Sequence, residues 1–134
     1  MVLRKVELPL ALQEDVVAVR QSTRSYAVEI GLSIIDQTKI VTAASELARN
    51  TVVHGGGGKV TIEMFKEASR QGLRLTFEDK GPGIPDLERA MQDGYTSASG
   101  LGLGLGGSKR LCNEFSIESQ VGVGTRVTIA RWKV

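Results

Sequence analysis

The sequence predicts an α+β protein, a two-layer α/β sandwich whose mixed, mostly antiparallel sheet is covered on one face by helices. Three observations carry this. Apolar residues recur at helical spacing through residues 12–54 but alternate in segments near 59–79 and 115–132. The alternating segments come in consecutive pairs joined by tight turns, which favours antiparallel neighbours over a doubly wound parallel sheet. Glycine also divides the chain: of 16, only Gly31 lies in the first 54 residues, so the special backbone turns fall in the back half.

Residues 3–10 alternate weakly through Leu3, Val6, Leu8 and Leu10 and form a first strand, placed at an edge. From Leu12 to Ile30, Val16, Val19, Thr23, Tyr26, Ala27 and Ile30 share one helical face. Glu14 and Asp15 suit the dipole of its first turn, and Gly31 stops it. Ser33 is the N-cap of a second helix, with Asp36 completing a capping-box-like pair. That helix runs to about His54 with an apolar stripe of Ile34, Val41, Ala44, Ala48 and Val52. Two strands follow at 59–67 and 73–79, with Gln71-Gly72 read as the turn between them. Val60, Ile62 and Met64 share a face of the first. Leu73, Leu75, Phe77 and Asp79 share a face of the second, so an acid ends a core-facing row. A short helix near 86–92, a third long helix over roughly 103–114 and a hairpin around Gly122-Val123-Gly124 complete the chain.

The 134 residues are read as one domain, 1–134, long enough for a single core. A net charge of +2, no basic run and no aromatic ladder do not suggest nucleic-acid binding, and none is expected. No apolar run approaches the roughly 20 residues of a membrane span, and no signal sequence is visible, so the expected location is cytoplasmic, away from the membrane. The single Cys112 suits a reducing compartment and a packing role.

Three segments could carry chemistry. Glu46, Asn50 and His54 lie at i, i+4 and i+8, one stripe on the second helix, roughly opposite Ala44 and Ala48. A solvated face has the same pattern. The functional reading gives Asn50 to Mg²⁺, which takes oxygen ligands and completes its shell with phosphates and water. It leaves Glu46 to accept a proton from an attacking hydroxyl. His54 suits either a helix end or a phosphate contact. Asp79 with Gly81-Pro82-Gly83 could accept from the exocyclic amine of adenine, where guanine presents a carbonyl; an Asx turn is the plainer alternative. Gly100, Gly102 and Gly104, with Leu103 and Leu105, form a glycine loop opening a helix, the kind of backbone that cradles phosphate. The loop follows no strand, which argues against a dinucleotide-binding fingerprint, and no Walker A sequence is present.

In order and spacing these segments resemble the boxes of the GHKL superfamily, the group of gyrase, MutL and the histidine kinases. Glu46 to Asn50 is similar to its N box, Asp79-Lys80-Gly81-Pro82-Gly83 to its G1 box, Gly100 to Gly104 to its lid, and Gly124-Thr125 to its last element. Within it, Ser45 to Asn50, Glu78 to Asp86 and Ala130-Arg131-Trp132 resemble the small bacterial switch kinases of partner-switching pathways. The resemblance implies a Bergerat-type ATP-binding fold and a serine/threonine protein kinase using ATP and Mg²⁺. Its substrates would be STAS-domain proteins of the stressosome; once released it would activate a PP2C-type phosphatase. It further implies Asn50 as metal ligand, Glu46 as base, Asp79 and Thr125 as adenine partners, and Gly102 to Leu105 as phosphate lid. The stretch from Ser97 to Leu105 holds no Lys or Arg, a departure for a lid facing a γ-phosphate. Two other readings stay open: an anti-sigma factor with the same ATP site, and a nucleotide-gated binder without catalysis. Arg20 and Arg24, on one side of the first helix, could meet an acidic partner or simply be solvated.

Overall fold

The computed structural model describes residues 1–92 and 104–133. Its elements are β1 (Val2–Leu10), α1 (Gln13–Ile30), α2 (Ile34–Val53), β2 (Gly58–Glu67), β3 (Arg70–Asp79), α3 (Leu87–Ala90), α4 (Gly104–Arg110), β4 (Glu114–Gln120) and β5 (Gly124–Trp132). One five-stranded sheet runs in the order β1-β2-β3-β5-β4. Every described pairing is antiparallel, so the expected mixed sheet is corrected to an antiparallel one. The reason is connectivity: β1–β2 and β3–β4 are joined through helices that return on the same face, and the other joins are hairpins.

α1 and α2 lie side by side over the sheet. Val16, Val19, Thr23, Tyr26, Ala27 and Ile30 of α1 are all buried, the six positions its spacing predicts. Beneath them sit Val60 and Ile62 of β2, Leu73, Leu75 and Phe77 of β3, and Ile129 of β5, each at most 2% exposed. Asp15 does more than face the helix dipole: its Oδ2 accepts from the N–H groups of Ala11 and Leu12 at 2.8 Å each. Ser33 caps α2 as expected, accepting from Asp36 N at 3.1 Å. Asp36 does not close the capping box. It reaches Arg131 Nη2 of β5 at 2.7 Å, because a cationic partner outcompetes a neutral backbone donor.

Three further sequence expectations are revised. Ile34 is 77% exposed, and the buried face of α2 is instead Ile40, Val41, Ala43, Ala44, Leu47, Ala48 and Thr51, with Val52 half-buried. A helix covered by both α1 and the sheet buries a wider arc than one stripe. The β2–β3 turn falls at Ala68-Ser69, where Ala68 takes φ +54°, not at Gln71-Gly72. Gly72 is a strand residue facing Phe65 of β2, and a Cβ there would lie 2.7 Å from Arg131 O. The helix expected over 103–114 ends at Arg110. The other face of the sheet carries an aromatic cluster. Phe65 and Trp132 meet edge to face at 4.6 Å, with the Arg70 guanidinium 3.5 Å above the indole.

Cys112 packs against the core, its Sγ donating to Ser108 O at 3.3 Å. Burial pushes its thiol up to about 12, which suits packing and not nucleophilic chemistry. No helix among the described residues is long and apolar enough to cross a membrane.

Candidate functional site

A cavity of about 520 Å³ opens where α2, the ends of β3 and β5, the loop after β3, α3 and the start of α4 converge. That volume suits a small organic ligand. Its walls alternate in character. Leu47, Phe77, Ile84, Leu105 and Val127 supply apolar surface, and Asn50, His54, Asp79, Asp86, Arg89 and Thr125 supply polar groups.

Asp79 is the last residue of β3, on the same face as Leu73, Leu75 and Phe77, half-buried and paired with Thr125 of β5. Its two oxygens have different surroundings. Oδ1 accepts from Gly81 N at 2.9 Å and from Thr125 N at 3.3 Å. Oδ2 has no hydrogen-bond partner among the described residues. The Asx turn, one of the two alternatives in the sequence, is therefore present and engages only Oδ1. The loop beyond is held close: Gly83 has φ +78°, and a Cβ there would lie 2.5 Å from Gln120 O. Only glycine combines that φ with that approach.

Ser119 of β4 was not singled out by the sequence. Its hydroxyl accepts from Ile84 N at 2.8 Å, stands 2.8 Å from Thr125 Oγ1 and 3.4 Å from Gly124 O. It ties the loop after β3 to the strand beside Asp79. A serine in an alternating strand carries no signal of this; only the register Ser119 to Thr125 reveals it.

α2 brings Leu47, Asn50, Thr51 and His54 to the cavity. Asn50 is half-buried there, while His54 is exposed. Glu46, one turn earlier, is not among the lining residues. Its side chain is 13% exposed, and Oε1 accepts from Arg49 Nη1 at 2.7 Å. Of the lid positions, Gly104 and Leu105 line the cavity at the start of α4. Gly100, Gly102 and Leu103 lie outside the described residues. Gly81 contributes through its N–H to Asp79 and is not itself in the wall. Arg89 of α3 is a cation on that wall that the sequence reading did not pick, since α3 carries no motif. Among the described residues no cluster of three His, Cys, Asp or Glu could hold a metal unaided.

Residues 35–134 match the family of histidine kinase-, DNA gyrase B- and HSP90-like ATPases. The chain belongs to that family. It is 46% identical over 118 residues to the serine/threonine-protein kinase RsbT of Bacillus subtilis, covering 88% of this chain and 89% of RsbT. It is 31% identical over 118 residues to an anti-sigma F factor of a Thermoanaerobacter species, covering 84% and 82%. Among solved structures, the RsbU and RsbW domains of a Mycobacterium tuberculosis protein superpose with a TM-score of 0.64 at 21% identity. That match spans 96% of this chain and 32% of the other, and it supports the shared fold. As a family member with these relatives, the chain is a homologue of ATP-using, partner-switching serine/threonine kinases.

Proposed function

We propose that this chain is an ATP- and Mg²⁺-dependent kinase that phosphorylates Ser or Thr on STAS-domain partners and, once released, activates a PP2C-type phosphatase. One observation supports it most: a carboxylate with one oxygen consumed by the backbone and the other left for a ligand, set in the wall of a cavity that also holds Asn50. The apolar walls flank a flat base, and Asp79 Oδ2 accepts from its exocyclic amine. Gly104 and Leu105, with Gly100, Gly102 and Leu103 before them, are assigned to the phosphates. Arg89 is a cation on the wall of the same cavity, and the lid stretch from Ser97 to Leu105 holds no Lys or Arg.

Asn50 would hold Mg²⁺ through its side-chain oxygen, and the ion would supply charge neutralisation to the phosphates. The rest falls to the chain. The partner's hydroxyl oxygen bonds to the γ-phosphorus as the bond to the bridging oxygen of ADP breaks. Glu46 takes the hydroxyl proton. Arg49 positions the Glu46 carboxylate one turn from Asn50. The working unit is residues 1–134 as one domain, supported by β1 pairing into the sheet and α1 packing on α2. We place it in the cytoplasm.

The test is label transfer from γ-labelled ATP and Mg²⁺ to a purified STAS-domain protein, beside Glu46→Ala. Label on a partner Ser or Thr, reduced about 10²–10⁴-fold in the variant with ATP still bound, supports the kinase and the base. Equal activity in the variant removes Glu46 from that role. The anti-sigma relatives favour a second reading, in which the same site gates binding of a sigma factor. ATP binding without transfer, together with sigma-factor capture, would favour it.

A further inference from the structure

We infer that Ser119 is a positioning residue for base selection, setting the proton of Thr125 so that the cavity reads adenine and rejects guanine. The inference rests on the proposed adenine site and adds to it a residue and a reason for purine discrimination.

β4 places Phe115, Ile117 and Ser119 on its inner face, the first two packed on the core and the third at the cavity end. A hydroxyl has one proton and two lone pairs. Ser119 Oγ spends one lone pair on Ile84 N–H at 2.8 Å. Its own proton has two targets: Thr125 Oγ1 at 2.8 Å and Gly124 O at 3.4 Å. The first is near the ideal O–H···O distance and the second is at the weak limit. The 2.8 Å contact can be donated from either side; with Ser119 as its donor, the Thr125 proton is left for the cavity that Thr125 lines. Thr125 is then a donor, on the residue paired with Asp79 across β3 and β5, and Asp79 Oδ2 is an acceptor. Adenine offers the complement, an amine donor at C6 and an acceptor at N1. Guanine offers the reverse, a carbonyl and an N1–H, and would set acceptor against acceptor and donor against donor.

Nucleotide analogues separate the two contacts. Purine riboside triphosphate lacks the amine that Asp79 receives but keeps N1. 1-Deaza-ATP keeps the amine but lacks the N1 acceptor. Wild type should bind ATP about tenfold more tightly than either. Ser119→Ala should lose most of the preference over 1-deaza-ATP, keep the preference over purine riboside triphosphate, and lower the ATP-to-GTP ratio about tenfold. Ser119→Thr, which keeps the hydroxyl, should restore it. Ser119→Cys fills a similar volume but donates weakly; it should behave as Ala does and carries the test if the alanine variant does not fold. A 1-deaza preference unchanged in both variants overturns the role of Ser119. A wild type that does not distinguish ATP from purine riboside triphosphate overturns instead the adenine role of Asp79.

Discussion

Oδ1 of Asp79 takes two backbone N–H groups, so an amide at this position must keep its oxygen there and turn its NH₂ to the cavity. Asp79→Asn therefore keeps the fold but presents a donor to adenine's donor. Calorimetry should show ATP affinity falling about 10- to 100-fold, ~1.4–2.8 kcal/mol. The GTP disadvantage should shrink, because the guanine carbonyl can accept from the new amide. An ATP affinity equal to wild type would show that the carboxylate does not meet the base. Asp79 was legible in the sequence because strand alternation puts it on a core-facing row and Gly-Pro-Gly follows. Ser119 and Arg89 were not, because their place in the site comes from register and from packing of a four-residue helix, neither of which leaves a local pattern.

At the scale of elements, Arg131 braces three segments. From β5 its Nη2 meets Asp36 Oδ1 at the start of α2, and its Nη1 donates to Leu111 O just beyond α4 at 3.2 Å. Both side chains of the pair are mostly buried, 13% and 18% exposed. The Arg131 hydrogen bond holds the Asp36 carboxyl below its ordinary value. Because the folded-state value is depressed, the pair adds stability above the unfolded carboxyl pKa of about 3.9, and that stability is lost as pH falls through the folded value. Asp36→Asn should cost about 1.5–3 kcal/mol in denaturant melts at pH 7. The gap from wild type should narrow below about pH 4. A gap constant from pH 7 to pH 3 would mean that the charge of Asp36 does not contribute. The sequence marked Asp36 as half of a capping box; its partner is 95 residues away, beyond any local pattern.

Across the whole molecule, the cavity draws on α2 from the first half and on strands, loops and the short helices α3 and α4 from the second. A ligand there ties the layers together. A ligand that binds only the folded state at 100 times its Kd stabilises by about 2.7 kcal/mol. Mg²⁺ with ATP should therefore raise the melting temperature by several degrees, and Mg²⁺ with GTP by much less. Asn50→Ala should remove the part of the shift that depends on Mg²⁺. No shift with ATP at millimolar concentration would mean that the folded chain does not bind the nucleotide in that range.

The sequence by itself determined the elements and their order, the buried face of α1, the edge position of β1, and the boxes that place this chain among the histidine kinase-, gyrase- and HSP90-like ATPases. Periodicity and turn chemistry are local, and they are written every few residues. Only the tertiary structure decided that Asp79 splits its oxygens, that Asp36 serves Arg131, that Gly72 lies inside a strand, and that Ser119 stands between Ile84 and Thr125. Each depends on which distant groups come into contact, and that is set by sheet register and layer packing.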